Sequence, residues 1–208
     1  MLEKYKSNSN ESFNAKMTTK NSLCDTFISN SYFHSLASPN HTIMIGPRGS
    51  GKTTLMRMLD VESLEIWDKE IAEHYRENIE YAGVFIPTDR FWKAQFDLLS
   101  KKYKDSPKII KAIESTFTYH ILECFTQVLS YRVNRVIQKK NDFQKIELSK
   151  TDELELVNYL ADMWKVEPKI PSLRGLGIAV SLKKQTISRF LTNIPKLDEN
   201  SVIEMTMP

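Results

Sequence analysis

The chain lacks most of the features that would sort it quickly. It has only two cysteines in 208 residues, Cys24 and Cys124, far apart and in no C-x-x-C pair. A disulfide framework is excluded, and a reducing cytoplasm is the compartment that fits. Its four histidines, His34, His41, His74 and His120, have no metal-ligand spacing with one another or with cysteine, so no structural zinc is implied. No run of 18 apolar residues occurs, and the polar opening Met1–Asn10 has no apolar core of the signal-peptide kind. The charge is nearly balanced, 29 basic against 26 acidic residues for a net +3. That imbalance is too small to argue for nucleic acid, and the pairs Lys139-Lys140 and Lys183-Lys184 read as solvated helix faces. No internal repeat or low-complexity tract is present. Glycine is scarce, and three of the six lie within six residues of one another, at 46, 49 and 51.

Those glycines belong to Gly46-Pro47-Arg48-Gly49-Ser50-Gly51-Lys52-Thr53, which fits the Walker A spacing G-x-x-x-x-G-K-[ST] at every fixed position. Without a Cβ, a glycine backbone enters positive φ, turns tightly and points successive N–H groups into one concavity suited to an anion. The segment from Gly51 to Leu59 opens a helix whose first N–H groups face the same point. Lys52 is expected to reach the β- and γ-phosphates, and the Thr53 hydroxyl to be the protein ligand of Mg²⁺, with Thr54 beside it. Arg48 occupies a free position of the motif and suits either phosphate or the surface. Such a spacing arises by chance in roughly one chain of this length in a hundred. The flanks make an accident rarer still, because the apolar run His41–Ile45 reads as a strand ending directly at Gly46.

The rest of the pattern predicts an α/β chain, a P-loop nucleotide fold with a partial parallel sheet and a large helical portion. Residues 1–12 read as a flexible N-terminus and 13–208 as one nucleotide-binding domain with a helical insertion. Residues 13–40 suggest a leader that packs against and caps that domain; its Phe27 and Phe33 suit either the core or a purine base. Leu64, Trp67, Ile71, Tyr75 and Ile79 predict an amphipathic helix over 62–79. Tyr81–Ile86 reads as a strand stopped by Pro87. Helices are predicted from Phe91 to Lys104, over 107–138, and around Leu156–Trp164. Leu176–Leu182 alternates like a strand, whereas Lys183–Leu191 looks helical, and the pattern leaves that stretch open.

An NTPase of this class also needs an apolar strand closing on Asp or Asp-Glu, to organise Mg²⁺ and the attacking water. None is found. The nearest candidate is Asp89, separated from its strand by Pro87 and Thr88, and suited equally to capping the helix that follows. Ser201–Met205 is too short and contains no Asp.

Three segments together resemble bacterial AAA-type ATPases related to the origin-recognition and replication-initiator group. They are Ser12–Lys16 with Thr26-Phe27-Ile28, the loop Gly46–Leu55, and Gly83-Val84-Phe85-Ile86-Pro87-Thr88-Asp89-Arg90-Phe91-Trp92, and the similarity spans about residues 12–135. The resemblance implies an ATP-binding domain with a parallel sheet and a later Walker B strand. Members act as molecular switches and motors, and many bacterial ones look like parts of phage-defence systems. By that template the chain ends about where the Walker B strand should begin. It would then be the N-terminal part of a longer protein, depend on a partner or self-association for the rest, or have lost hydrolysis. Three functions compete: an ATP-dependent switch, a small P-loop phosphotransferase using Asp89 and Lys52, and a regulatory module that binds ATP and Mg²⁺ without turnover. A nucleic-acid partner follows only from the family.

Overall fold

A computed structural model of the chain describes residues 18–87, 96–97, 99, 101–104, 106–133 and 146–193. The described residues fall into two compact units, one running up to Phe85 and one from Ile86 onward.

Among the described residues the first unit is a set of five short helices, three of them with side-chain caps. Helix α1 spans Lys20–Thr26, with Thr19 accepting from the Ser22 N–H, and α2 spans Ser31–Ala37, with Asn30 accepting from the Phe33 N–H. Helix α3 is Lys52–Met58, α4 is Val61–Ile66 and α5 is Glu70–Asn78. Asp60 caps α4 by accepting from the Glu62 N–H. Each such cap satisfies a backbone donor that the helix itself leaves unpaired. Beneath them Phe27, Phe33, Trp67 and Tyr75 interlock, with the Phe33 ring 4.8 Å from Tyr75 and the Phe27 ring 5.1 Å from Trp67, both edge to face. Edge-to-face pairs of this kind contribute about 0.5–1.5 kcal/mol each beyond the burial of their area. The leader therefore gives its aromatics to the core: Phe27 and Phe33 are buried and leave no face for a purine.

The expected partial parallel sheet is not there. Among the described residues no strand forms, and one isolated parallel bridge, Asp60 with Gly83, is the whole of the β pairing. His41–Ile45 runs without a ladder partner, leaving Ile43 88% and Ile45 93% exposed. Tyr81–Ile86 pairs at Gly83 alone. Both runs have the composition of strands, but a sheet is made by cross-strand pairing, which composition does not supply. The α/β assignment is corrected to a helical architecture for these residues. The single helix expected over 62–79 is likewise two, broken after Ile66 and resumed at Glu70.

The second unit is built on three helices, α6 (Pro107–Val133), α7 (Lys150–Trp164) and α8 (Leu173–Asn193). The ambiguous run Leu176–Leu182 is thus helix throughout. Phe96, Asp97, Leu99, Lys101 and Lys102 are helical, within the helix predicted from Phe91. Helices α6 and α8 run antiparallel: Ile113 packs with Phe190 and Leu191, while Thr126 lies against Gly177. Tyr119, Leu122 and Leu129 of α6 share a core with Val157 and Leu160 of α7 and with Leu176 and Val180 of α8. Two polar ties fix the joints. The Tyr119 hydroxyl donates to the Trp164 carbonyl at 2.9 Å, and the Glu153 carboxylate accepts from the Leu173 N–H at 2.9 Å, capping α8. Among the described residues no helix is long and apolar enough to cross a membrane.

Glu123 of α6 and Lys184 of α8 form a hydrogen-bonded ion pair between the two helices. Burial alone would raise the Glu123 carboxyl; hydrogen bonds from Lys184 and Ser181 outweigh it and hold the group below its ordinary 4.5. A depressed carboxyl contributes stability that is complete above the unfolded value and lost as pH falls through the folded one. Stability measured by urea unfolding should therefore drop below pH 4.5. Glu123→Gln should flatten that slope relative to wild type and cost about 1 kcal/mol at neutral pH, a charged hydrogen bond discounted for partial exposure. Packing gives a second expectation. A Cβ on Gly175 would lie 2.0 Å from the Ile170 carbonyl oxygen, whereas one on Gly177 would meet Thr126 Oγ1 at 3.4 Å. Gly175→Ala should lower stability by about 1–3 kcal/mol, and Gly177→Ala should be neutral or stabilising through helix propensity.

Candidate functional site

The loop Gly46–Gly51 is exposed and joins the extended run before it to α3. Gly49 (φ 85°) and Gly51 (φ 79°) are the glycines in the left-handed region, where an L side chain is strained. Gly51 is also the residue that opens α3, with no side-chain cap on the helix. The loop is closed by a turn in which the Ser50 N–H donates to the Pro47 carbonyl at 3.3 Å.

Into this turn folds Lys52. Its ammonium donates to the Gly46 and Pro47 carbonyls, each at 2.7 Å, and to Ser50 Oγ at 2.9 Å. A Cβ at Gly46 would stand 3.0 Å from Ser50 Oγ and 3.7 Å from Lys52 Nζ, so the bare glycine is what keeps this cradle open. The structure thus brings Gly46, Pro47, Ser50 and Lys52 together. Arg48 lies exposed in the loop, and Thr53 and Thr54 occupy the first turn of α3, partly buried. Asp89, the candidate acidic residue, lies outside the described residues.

What holds the loop in place was not evident from the motif. Helix α3 buries Leu55 and Met58 in the aromatic core of the first unit. Arg57 donates to the Thr18 carbonyl at 2.9 Å, tying α3 to the chain ahead of α1. Lys20 of α1 bridges Asp60, at 3.1 Å, and Glu62. Burial would lower the Lys20 ammonium, but its hydrogen bonds and attraction to these two carboxylates outweigh that and hold it above its ordinary value. Arg76 donates to the Leu64 and Trp67 carbonyls, both at 3.0 Å, and closes the C-terminal end of α4. Lys69 donates to the Phe27 carbonyl at 2.6 Å. Cys24 sits under this frame with its thiol against the Ser63 carbonyl, and burial pushes it up to about 11, so it is an inert core residue and not a nucleophile. The cations that seek backbone carbonyls across 9 to 42 residues had no local signal.

The donor set suits a polyphosphate with a divalent cation: positive-φ glycines, one ammonium over the loop, and hydroxyls at 53 and 54 on the first turn of the helix. A family model described as ORC-CDC6-like matches residues 8–207, and the chain belongs to that family. The match extends well past the stretch 12–135 that carried the resemblance in sequence. No curated protein and no solved structure matches the chain. The family is ATPase-related and nucleotide-binding.

The loop conformation itself can be tested. Gly51→Ala places a side chain at φ 79° with no steric neighbour to blame, so its effect reports backbone strain alone. It should lower the stability of the chain by about 1–2 kcal/mol in urea unfolding.

Proposed function

We propose that the chain binds ATP with Mg²⁺ through Gly46–Thr54 and acts as a nucleotide-dependent switch for a protein partner. The observation that carries this reading is the Lys52 ammonium gathered over the glycine loop by the Gly46 and Pro47 carbonyls. A cation held at that point, with N–H groups turned by Gly49 and Gly51, is complementary to the terminal phosphates of a nucleotide. Membership of the ORC-CDC6-like family supports adenine as the base. In this reading Lys52 holds the β- and γ-phosphates, the N–H groups of the loop and of Thr53 and Thr54 orient them, and the Thr53 hydroxyl is the protein ligand of the metal. Mg²⁺, when bound there, would supply charge neutralisation on the phosphates.

The switch function rests on how the loop is anchored. Helix α3 is tied through Arg57 to the chain before α1, and through its buried face to the aromatic core. A change in the loop on nucleotide binding would reach the packed elements of the first unit through these ties. Turnover, if the chain performs it, would rest on Lys52 and Asp89, and a setting in bacterial phage defence is the part of the proposal that the resemblance alone supports.

Isothermal titration tests the binding claim. Lys52→Ala should weaken Mg-ATP by about 10- to 100-fold, the loss of a charged hydrogen-bond donor to phosphate. Thr53→Ala should weaken ATP in Mg²⁺ but leave affinity in EDTA close to wild type. Unchanged affinity in Lys52→Ala would contradict the reading.

A further inference from the structure

We propose that Ser50 is the latch of the phosphate loop: its hydroxyl holds the Lys52 ammonium folded onto the loop, and a phosphate gains that ammonium only by displacing the hydroxyl. This deepens the ATP-binding reading above and rests on it.

An ammonium has three N–H bonds and accepts nothing. Lys52 spends all three within its own loop, on Gly46 O, Pro47 O and Ser50 Oγ. A phosphate can take a full N–H only from one of these partners, and the N–H so released can be shared between oxygens of the β- and γ-phosphates.

The three are not equally replaceable. Two are backbone carbonyls, fixed by a turn that is itself closed by the Ser50 N–H to Pro47 carbonyl bond. Freeing either would require the loop to leave its glycine-dependent conformation. The third is a side-chain hydroxyl at the longest of the three distances, 2.9 Å against 2.7 Å. It is exposed, and rotation about its single χ1 moves it away without moving the chain. It is also uncharged and loses little by turning to water, whereas the phosphate that takes its place is an anion and binds an ammonium more strongly. The exchange therefore falls on Ser50.

Gly46 is the second element of the device. A Cβ there would press on Ser50 Oγ at 3.0 Å, tighter than most real contacts, so the glycine leaves the hydroxyl free to reach Lys52 and to turn away from it. The loop then has two states, latched and released, that differ in one rotamer and one hydrogen bond. The latch lowers nucleotide affinity below what the same loop would show without it, and it keeps the lysine positioned while the site awaits its ligand. Ser50 acts through Lys52, and is a positioning residue in this scheme.

The test is Mg-ATP titration of the full chain carrying Ser50→Ala. Because the latched state loses a bond that the bound state does not use, affinity should rise by about two- to fivefold, the weight of one exposed hydrogen bond. Ser50→Thr, which restores the hydroxyl, should return affinity to that of wild type. A merely structural contact predicts the opposite sign, since losing it would loosen the loop and weaken binding. Weaker binding in Ser50→Ala, or affinity equal to wild type, would overturn the latch while leaving the ATP-binding reading intact. Failure of the wild-type chain to bind Mg-ATP at all would overturn both.

Discussion

The burial of α3 on the aromatic core is the constraint from which the candidate site follows. The loop Gly46–Gly51 is exposed and has little packing of its own, so its shape depends on what fixes its two ends. The C-terminal end is fixed by Leu55 and Met58, which enter the same cluster as Phe27, Phe33, Trp67 and Tyr75. With that helix pinned, Gly51 must open it from the left-handed region, and Lys52, one residue later, is delivered over the loop. Apolar burial at one end of a seven-residue helix thus sets the position of a charge at the other.

A set of cation-to-carbonyl bonds supports this frame and explains how so many short helices hold together. Arg57, Lys69 and Arg76 each satisfy backbone oxygens at segment ends, and Lys20 binds the two carboxylates at the start of α4. Helix C-termini leave orphan carbonyls, which Lys69 serves after α1 and Arg76 at the end of α4, whereas Arg57 binds a carbonyl ahead of α1. Gly83 belongs to the same region: a Cβ there would lie 1.9 Å from the Leu59 carbonyl oxygen, so the junction between α3 and α4 accepts only glycine beside it.

The turn was legible in sequence because its signal is local: glycines at fixed spacing ask for positive φ, and Gly49 and Gly51 adopt it without reference to the rest of the chain. The long helices were legible for a similar reason, since Ile113 and Val157 and their periodic neighbours repeat at helical spacing within one element. The sheet was misread because its signal is not local. Ile43 and Ile45 have strand composition, yet only a neighbouring strand would make them one, and both face outward. The break between α4 and α5 was hidden by periodicity that runs across it: Leu64, Trp67 and Tyr75 all enter one core although they belong to separate segments, while Ile71 is 44% exposed. The helical fate of Leu176–Leu182 turned on tertiary packing, because Gly177 lets α8 approach Thr126 of α6.

The central claim is that a nucleotide binds at the Gly46–Thr54 loop of an ORC-CDC6-like chain. Amide chemical shifts of the ¹⁵N-labelled protein, followed as Mg-ATP is added, test it most directly. Saturable changes should be largest at Gly49, Gly51, Lys52 and Thr53. Saturable changes centred elsewhere, or none at millimolar Mg-ATP, would contradict it.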